Sequence, residues 1–487
     1  MSKRLLLSSL SLSLLISHSA LQAAGFAIIE NSASGMGNAF AGAAAVGEDA
    51  STVWFNPAAM SRLGDRPSVS QSAHVIIPTA SFSDRGSSVN PALTQGNTDA
   101  AVAALAGQPN DSADKVALVP NLYYVRPINE KMHFGIGVNA PFGLEVTYKD
   151  DWIGRYLATN SEMLSININP ALSWKANDRL SFGGGVSLQY VDVTLGSKID
   201  STAACLSAAT AANSTALLNQ CRNPALPTPL TLGNSATDSN AEITGDDISY
   251  GFNLGVLFEP TDRTRIGASY RSKINHTLKG KADFEINDSL AQIFVAAPTA
   301  ANPAGVTLQQ ALQAPGQRLE SRNVSAEANL PDSFSLSVAH KLNSKFELLA
   351  DATWTGWSSF EELRVVDNIG VDVALTPEKW EDVWRLSIGG NYKYNDKITL
   401  RSGVAFDESP IPTPALRTPR IPGNDRTWLS FGAGYKLKEH INIEVGYAHL
   451  FVDDTPINHT SSDNGFTIKG LYEADVDILS AQLNYKF

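Results

Sequence analysis

A chain of 487 residues with 43% apolar and 18% charged residues and 36 glycines is long enough for several soluble domains or for one large barrel. Its mean hydropathy of -0.10 excludes a bundle of membrane helices, so any spanning segment must lie in an alternating pattern. The formal net charge of -12 excludes a nucleic-acid footprint, and nucleic acid is not expected among the partners.

The first 23 residues read as a secretory signal. Lys3 and Arg4 form the positive start, Leu5 to Ile16 an apolar run too short to span a bilayer, and small residues close it, with cleavage expected after Ala23. Its removal leaves 35 basic against 49 acidic residues in a protein exported by a bacterium. Residues 24–66 are rich in Gly and Ala and carry no sustained period of two. From about Pro67 onward, segments of alternating apolar and polar residues begin, the pattern of strands with one lipid face and one lumen face. The last of them is the clearest: Leu479, Ala481, Leu483, Tyr485 and Phe487 share one face, and Ser480, Gln482, Asn484 and Lys486 the other.

Six tight turns are expected at residues 127–131, 176–179, 260–263, 342–345, 394–397 and 438–440. Seven long connections fall between them, at 80–115, 144–162, 198–244, 287–322, 359–380, 408–425 and 454–472. Six turns and seven loops join fourteen strands, an even number that returns both termini to the periplasmic side of an outer membrane. Aromatic residues beside the turns, among them Trp174, Tyr392, Tyr394 and Tyr485, fit an interfacial girdle and favour a membrane barrel over a large secreted all-β protein. The terminal Phe487 resembles that of substrates of the bacterial barrel-assembly machinery, an expected partner in biogenesis. Cys205 and Cys221 are either a loop disulfide, which export permits, or two free thiols; no histidine accompanies them to make a zinc site. No metal or cofactor pattern stands out, and none of the eight histidines sits in a nucleophile motif, so no enzymatic activity is expected.

Several segments together carry a family resemblance. AGF at Ala24 to Phe26 precedes NSASGMGNAFAG and the NPA triplet Asn56, Pro57 and Ala58; RPINEKMHFGIGVNAPFGLEV occupies 126–146; LPDSFSL and WTGWSSF lie at 330–336 and 354–360. The longest is RSGVAFDESPIPTPALRTPRIPGNDRTWLSFGAGY at 401–435, with its DESP corner at Asp407 to Pro410. In these the chain resembles the outer-membrane long-chain fatty acid transporter family, which also includes importers of aromatic hydrocarbons. The resemblance implies an all-β, fourteen-stranded antiparallel barrel at 67–487, closed by a hatch of short helices at 24–66. It implies transport of long-chain fatty acids or other hydrophobic ligands: binding in an extracellular groove, transfer to a lumen pocket, rearrangement of the hatch, and lateral exit into outer-membrane lipid. A polar channel would leave each CH₂ of an acyl chain unfavourably hydrated by about 0.8 kcal/mol, which favours such a greasy route.

On the same resemblance, Pro141 and Gly143 mark a kinked third strand and lateral gate, the alternative being that the glycine is only a packing or bulge position. Phe26 is either a residue that enters the pocket or an aromatic of the hatch core. Lys379, Arg385, Arg401 and, at the DESP corner, Asp407 are candidates for the substrate pocket. One position where the family pattern suggests a basic residue carries Asp192. An open diffusion porin is the competing transport reading, and the hatch speaks against it.

Overall fold

The computed structural model describes residues 25–300, 302 and 304–487; the expected signal segment lies outside them. One antiparallel sheet closes on itself. Its strands are β1 (Ser68–Asp84), β2 (Ala117–Asn129), β3 (Met132–Asn139, resuming at Gly143–Thr147), β4 (Asn160–Asn177) and β5 (Leu180–Ile199). Then come β6 (Ser239–Thr261), β7 (Thr264–Arg271 and Ile274–Glu285), β8 (Arg322–Leu330 and Ser333–Lys341), β9 (Phe346–Thr355 and Glu362–Asp367) and β10 (Asp372–Pro377 and Val383–Lys393). Finally, β11 (Ile398–Asp407), β12 (Arg426–Lys438), β13 (Ile441–Val452 and Thr455–Thr460) and β14 (Thr467–Lys486) complete the wall. β14 pairs with β1 from Lys486 opposite Ser68 to Gly470 opposite Asp84, so no edge is left unpaired at closure. The fourteen strands read from the turns are the fourteen observed.

Alternation decides the two faces. In β4, Ile168, Leu172 and Trp174 are exposed outward, whereas Asn167, Asn169 and Ser173 are buried inside. Close to the tight ends, Trp174 stacks on Phe182 with ring centroids 6.1 Å apart, and Phe346 on Tyr392 at 4.5 Å, forming part of an aromatic girdle.

Several long connections are shorter than expected, 144–162 and 198–244 at their ends and two others through most of their length. Residues 359–380 contain a hairpin, Glu362–Asp367 against Asp372–Pro377, and 454–472 hold Thr455–Thr460 against the start of β14. Strands that rise beyond the lipid lose the apolar outer face, so their sequence reads as loop. Elsewhere the connections fold back over the barrel mouth. Two helices, Ser201–Ala211 and Thr215–Cys221, are joined by a Cys205–Cys221 disulfide and share an apolar cluster with Leu290, Ile293 and Leu308 of the connection between β7 and β8.

Candidate functional site: a plugged lumen with an open seam

Residues 25–66 form three single-turn helices, α1 (Ala33–Met36), α2 (Ala43–Val46) and α3 (Thr52–Phe55), then a 3₁₀ helix, Pro57–Arg62. They touch the inner face around the circumference: α1 meets β12, β13 and β14, α2 meets β7 and β8, and the 3₁₀ helix meets β4 to β6. A segment ringed by the wall in this way fills the lumen. Asn56 caps the 3₁₀ helix by accepting from Ala58 N at 3.0 Å and donates to Ala44 O and Val256 O at 2.7 and 3.0 Å, while Pro57 takes the first helical position, which needs no N–H. Two glycines of the wall make room: a Cβ on Gly255 would lie 2.0 Å from Asn56 Oδ1, and one on Gly183 would lie 2.3 Å from Ala58 N.

Beside β3 the wall is incomplete. Asn139 pairs with Asn167 of β4 and Gly143 with Leu164, so four residues of β3 advance against three of β4. Pro141 sits in that interruption, and Phe142 N donates to Ser165 Oγ at 2.9 Å in place of a ladder bond. On the other side, the pairing of β2 with β3 ends at Leu122 opposite Val138, and residues 140–147 have no ladder to β2. The start of the plug occupies this seam. Ile28 N donates to Pro141 O at 2.8 Å, Gly143 N donates to Phe26 O at 3.0 Å, and Ala27 bridges Phe142, so residues 26–28 act as a short surrogate strand on the free edge of β3. Asn31 Oδ1 accepts from Tyr123 Oη at 3.1 Å and from Asn139 Nδ2 at 2.7 Å, tying the segment to both lips.

Phe26 is buried in an aromatic box. Its ring lies 4.8 Å from Trp357, 5.6 Å from Phe360, 5.7 Å from Trp380 and 6.0 Å from Phe142, centroid to centroid. Trp357, Phe360 and Trp380 come from the interruptions of β9 and β10, which the sequence reading missed because they fell at or inside an expected loop. The only hint was the WTGWSSF run. One continuous hydrophobic cluster leads from this box to Val89, Tyr156 and Phe466, which line a cavity of about 700 Å³ under the long connections. Its walls are mostly apolar, with Ala204, Ala208, Leu312 and Leu363 among them.

Arg420 is a cation of this cavity. Its guanidinium donates to Leu157 O at 2.7 Å, Asn160 O at 3.0 Å and Ser161 Oγ at 2.8 Å, and among the described residues it has no carboxylate partner within ion-pair distance. Burial pushes it down to about 10, the mark of a charge short of counter-charge. Sequence reasoning missed Arg420 because nothing in a Pro-rich loop says which cation turns inward. The four pocket candidates named from the sequence lie elsewhere. Arg401 pairs with Glu48 of the plug at 3.0 Å and Glu444 of β13 at 3.2 Å; Asp407 pairs with Arg426. Arg385 donates to Ala39 O at 3.0 Å with its guanidinium 4.9 Å from the Trp428 ring, and Lys379 is exposed. Arg385, Arg401 and Asp407 hold the plug or the wall, and none of the four lines the cavity. Asp192 accepts from Tyr190 Oη at 3.3 Å on the outer face of β5, so it is no pocket position either.

A closed barrel with a polar, plugged lumen and an apolar outer band is the architecture of an outer-membrane transport protein. The profile of the family described as "Outer membrane protein transport protein (OMPP1/FadL/TodX)" matches residues 13–487, and the chain belongs to that family. It is 28% identical to a long-chain fatty acid transport protein of Escherichia coli O6:H1 over 95% of this chain and 94% of the relative. It is equally identical to outer membrane protein P1 of Haemophilus influenzae, over 91% of this chain and 89% of that one. Among solved structures, a Pseudomonas aeruginosa FadL homologue superposes with a TM-score of 0.78 at 27% identity, covering 95% of this chain and all of that one. The Ralstonia pickettii toluene transporter TbuX shares the fold, with a TM-score of 0.60 at 17% identity over 94% and 98% of the two chains. The protein is therefore a bacterial outer-membrane transporter of hydrophobic compounds, in a family of transport channels and not of enzymes.

Proposed function

We infer that the protein imports long-chain fatty acids by a lateral route. The observation that carries this reading is the double role of residues 26–28: they fill the seam beside β3, and Phe26 stands in the aromatic box connected to the cavity. An acyl chain entering from the mouth lies along the apolar wall of the cavity with its carboxylate at Arg420. As it advances it competes with Phe26 for the box. Loss of Phe26 from the box removes the main anchor of the surrogate strand, residues 26–28 leave Pro141 and Gly143, and the seam opens to outer-membrane lipid. Arg420 favours a fatty acid over a neutral aromatic hydrocarbon, because a hydrocarbon gains nothing from a buried cation while a carboxylate forms a charge-assisted pair.

The test uses the bridge itself. Ala27 and Phe142 are a non-hydrogen-bonded antiparallel pair, since the bonds run from the residues that flank them. Such pairs hold Cα atoms about 4.5 Å apart, within disulfide range. Oxidised Ala27→Cys/Phe142→Cys protein is expected to stop oleate uptake in a strain lacking its own transporter, and reduction to restore it. Undiminished uptake through the locked seam would remove the lateral route, and uptake of toluene in place of oleate would remove the cargo.

A further inference from the structure

The plug covers the seam from within, while other groups cross it from without. The short segment Asn110–Ser112 pairs with β1 alone, so here too β3 receives no backbone partner. Two ion pairs span the gap instead. Lys115 meets Glu145, and Lys149 Nζ lies 3.2 Å from Asp111 Oδ1 while Lys149 N donates to Asp111 Oδ2 at 2.7 Å. Leu144 and Val146 belong to the lumen cluster, so alternation places Glu145 on the outer face of β3. Its register partner there is Glu162 of β4, a second carboxylate. Like charges opposite one another on neighbouring strands repel, and Lys115 is the cation that offsets the pair. The Glu145 side chain is only 6% exposed but that of Lys115 is 44% exposed, so the lysine reaches Glu145 from the outer mouth of the seam.

We propose that Lys115 is the exit-side contact for the carboxylate of the departing substrate. At rest it closes the seam on Glu145; when residues 26–28 withdraw, it exchanges Glu145 for the carboxylate of the fatty acid, whose tail has already entered lipid. An ion pair suits this task better than a ladder, because it reforms after each passage without a strand having to find its register. Without the lysine, Glu145 and Glu162 alone would face the leaving carboxylate and repel it. The inference rests on the lateral route proposed above.

The experiment compares uptake of oleate with that of oleyl alcohol, which has the same tail and no charge. Cells lacking their own transporter carry the wild type, Lys115→Met, or the exchange Lys115→Glu with Glu145→Lys, alongside the oxidised Ala27→Cys/Phe142→Cys lock. The oleate-to-alcohol ratio is expected to fall about fivefold or more in Lys115→Met and in the exchange, since a charge at the rim acts mainly on rates. The exchange keeps an ion pair across the seam, so its barrel should close and fold as the wild type does. If the lock stops both substrates but the ratio is unchanged in both variants, Lys115 has no part in head-group passage. If the locked protein still imports both, the lateral route falls and this inference with it.

Discussion

The two halves of the barrel wall meet the plug through different chemistry. From β8 to β13 the lumen carries Asp351, Arg385, Arg401, Asp407, Arg426 and Glu444, all buried, and Arg401 and Arg385 reach the plug through an ion pair and a charged hydrogen bond. From β2 to β6, beside the seam, the inner face presents Asn121, Asn139, Asn167, Asn169 and Asn253. Removing one partner of a buried ion pair costs about 3–5 kcal/mol, whereas a neutral hydrogen bond nets about 1 kcal/mol. The plug is thus moored on one wall by buried ion pairs, whereas on the wall that opens its ion pair, Arg62 with Glu259 of β6, is partly exposed and stands away from the seam. A ligand that unseats residues 26–28 breaks neutral backbone hydrogen bonds to β3.

This contrast can be broken at its strong side first. Arg401→Met leaves Glu48 and Glu444 without their shared cation, and a loss of about 3–5 kcal/mol in plug seating is expected. Planar-bilayer conductance should rise and thermal stability fall, with partial rescue by adding Glu444→Gln. Next in size is Asn56→Ala, which removes a cap and leaves Ala44 O and Val256 O without that donor. It should cost about 2–3 kcal/mol, read as earlier thermal release of the plug in hydrogen exchange.

The smallest effect concerns Glu30, buried next to the seam with no hydrogen-bond partner for either carboxylate oxygen among the described residues. Burial raises it from 4.5 to about 7. A raised carboxyl favours the seated plug fully below its free value, and that contribution is lost as pH climbs from about 4.5 through 7. Hydrogen exchange at residues 26–31, corrected for intrinsic rates, should therefore quicken by about ten- to a hundredfold between pH 5 and pH 8, and Glu30→Gln should flatten the profile. A steeper wild-type profile than the glutamine variant sharpens the contrast; identical profiles would remove Glu30 from it.

The barrel was legible because lipid enforces a rule on sequence: wherever the outer face meets hydrocarbon, apolar residues must recur at every second position, as from Leu479 to Tyr485. Beyond the lipid the rule lapses, which is why Glu362–Asp367 and Thr455–Thr460 read as loops. The site was less legible for a different reason. Arg385 and Arg401 stand on strands and so were visible as lumen charges, but their partners, such as Glu48, lie hundreds of residues away. Spacing along the chain cannot tell a charge already spent on a partner from one free for a ligand. Arg420, Lys115 and the box around Phe26 owe their positions to irregular backbone, where no period of two or 3.6 marks which way a side chain turns.

The last strand joins two tasks in time. β14 closes the barrel on β1, with Ser68 opposite Lys486, and Gln482 on that same strand accepts from Ala33 N at 2.8 Å and donates to Asp49 at 3.0 Å. Ala33 and Asp49 of the plug thus wait for nearly the last residues before they can be satisfied, a separation that makes closure intrinsically slow. Sealing the wall and stoppering the lumen become a single late event in assembly, so a nascent chain stopped short of β14 is at once open-edged and unplugged.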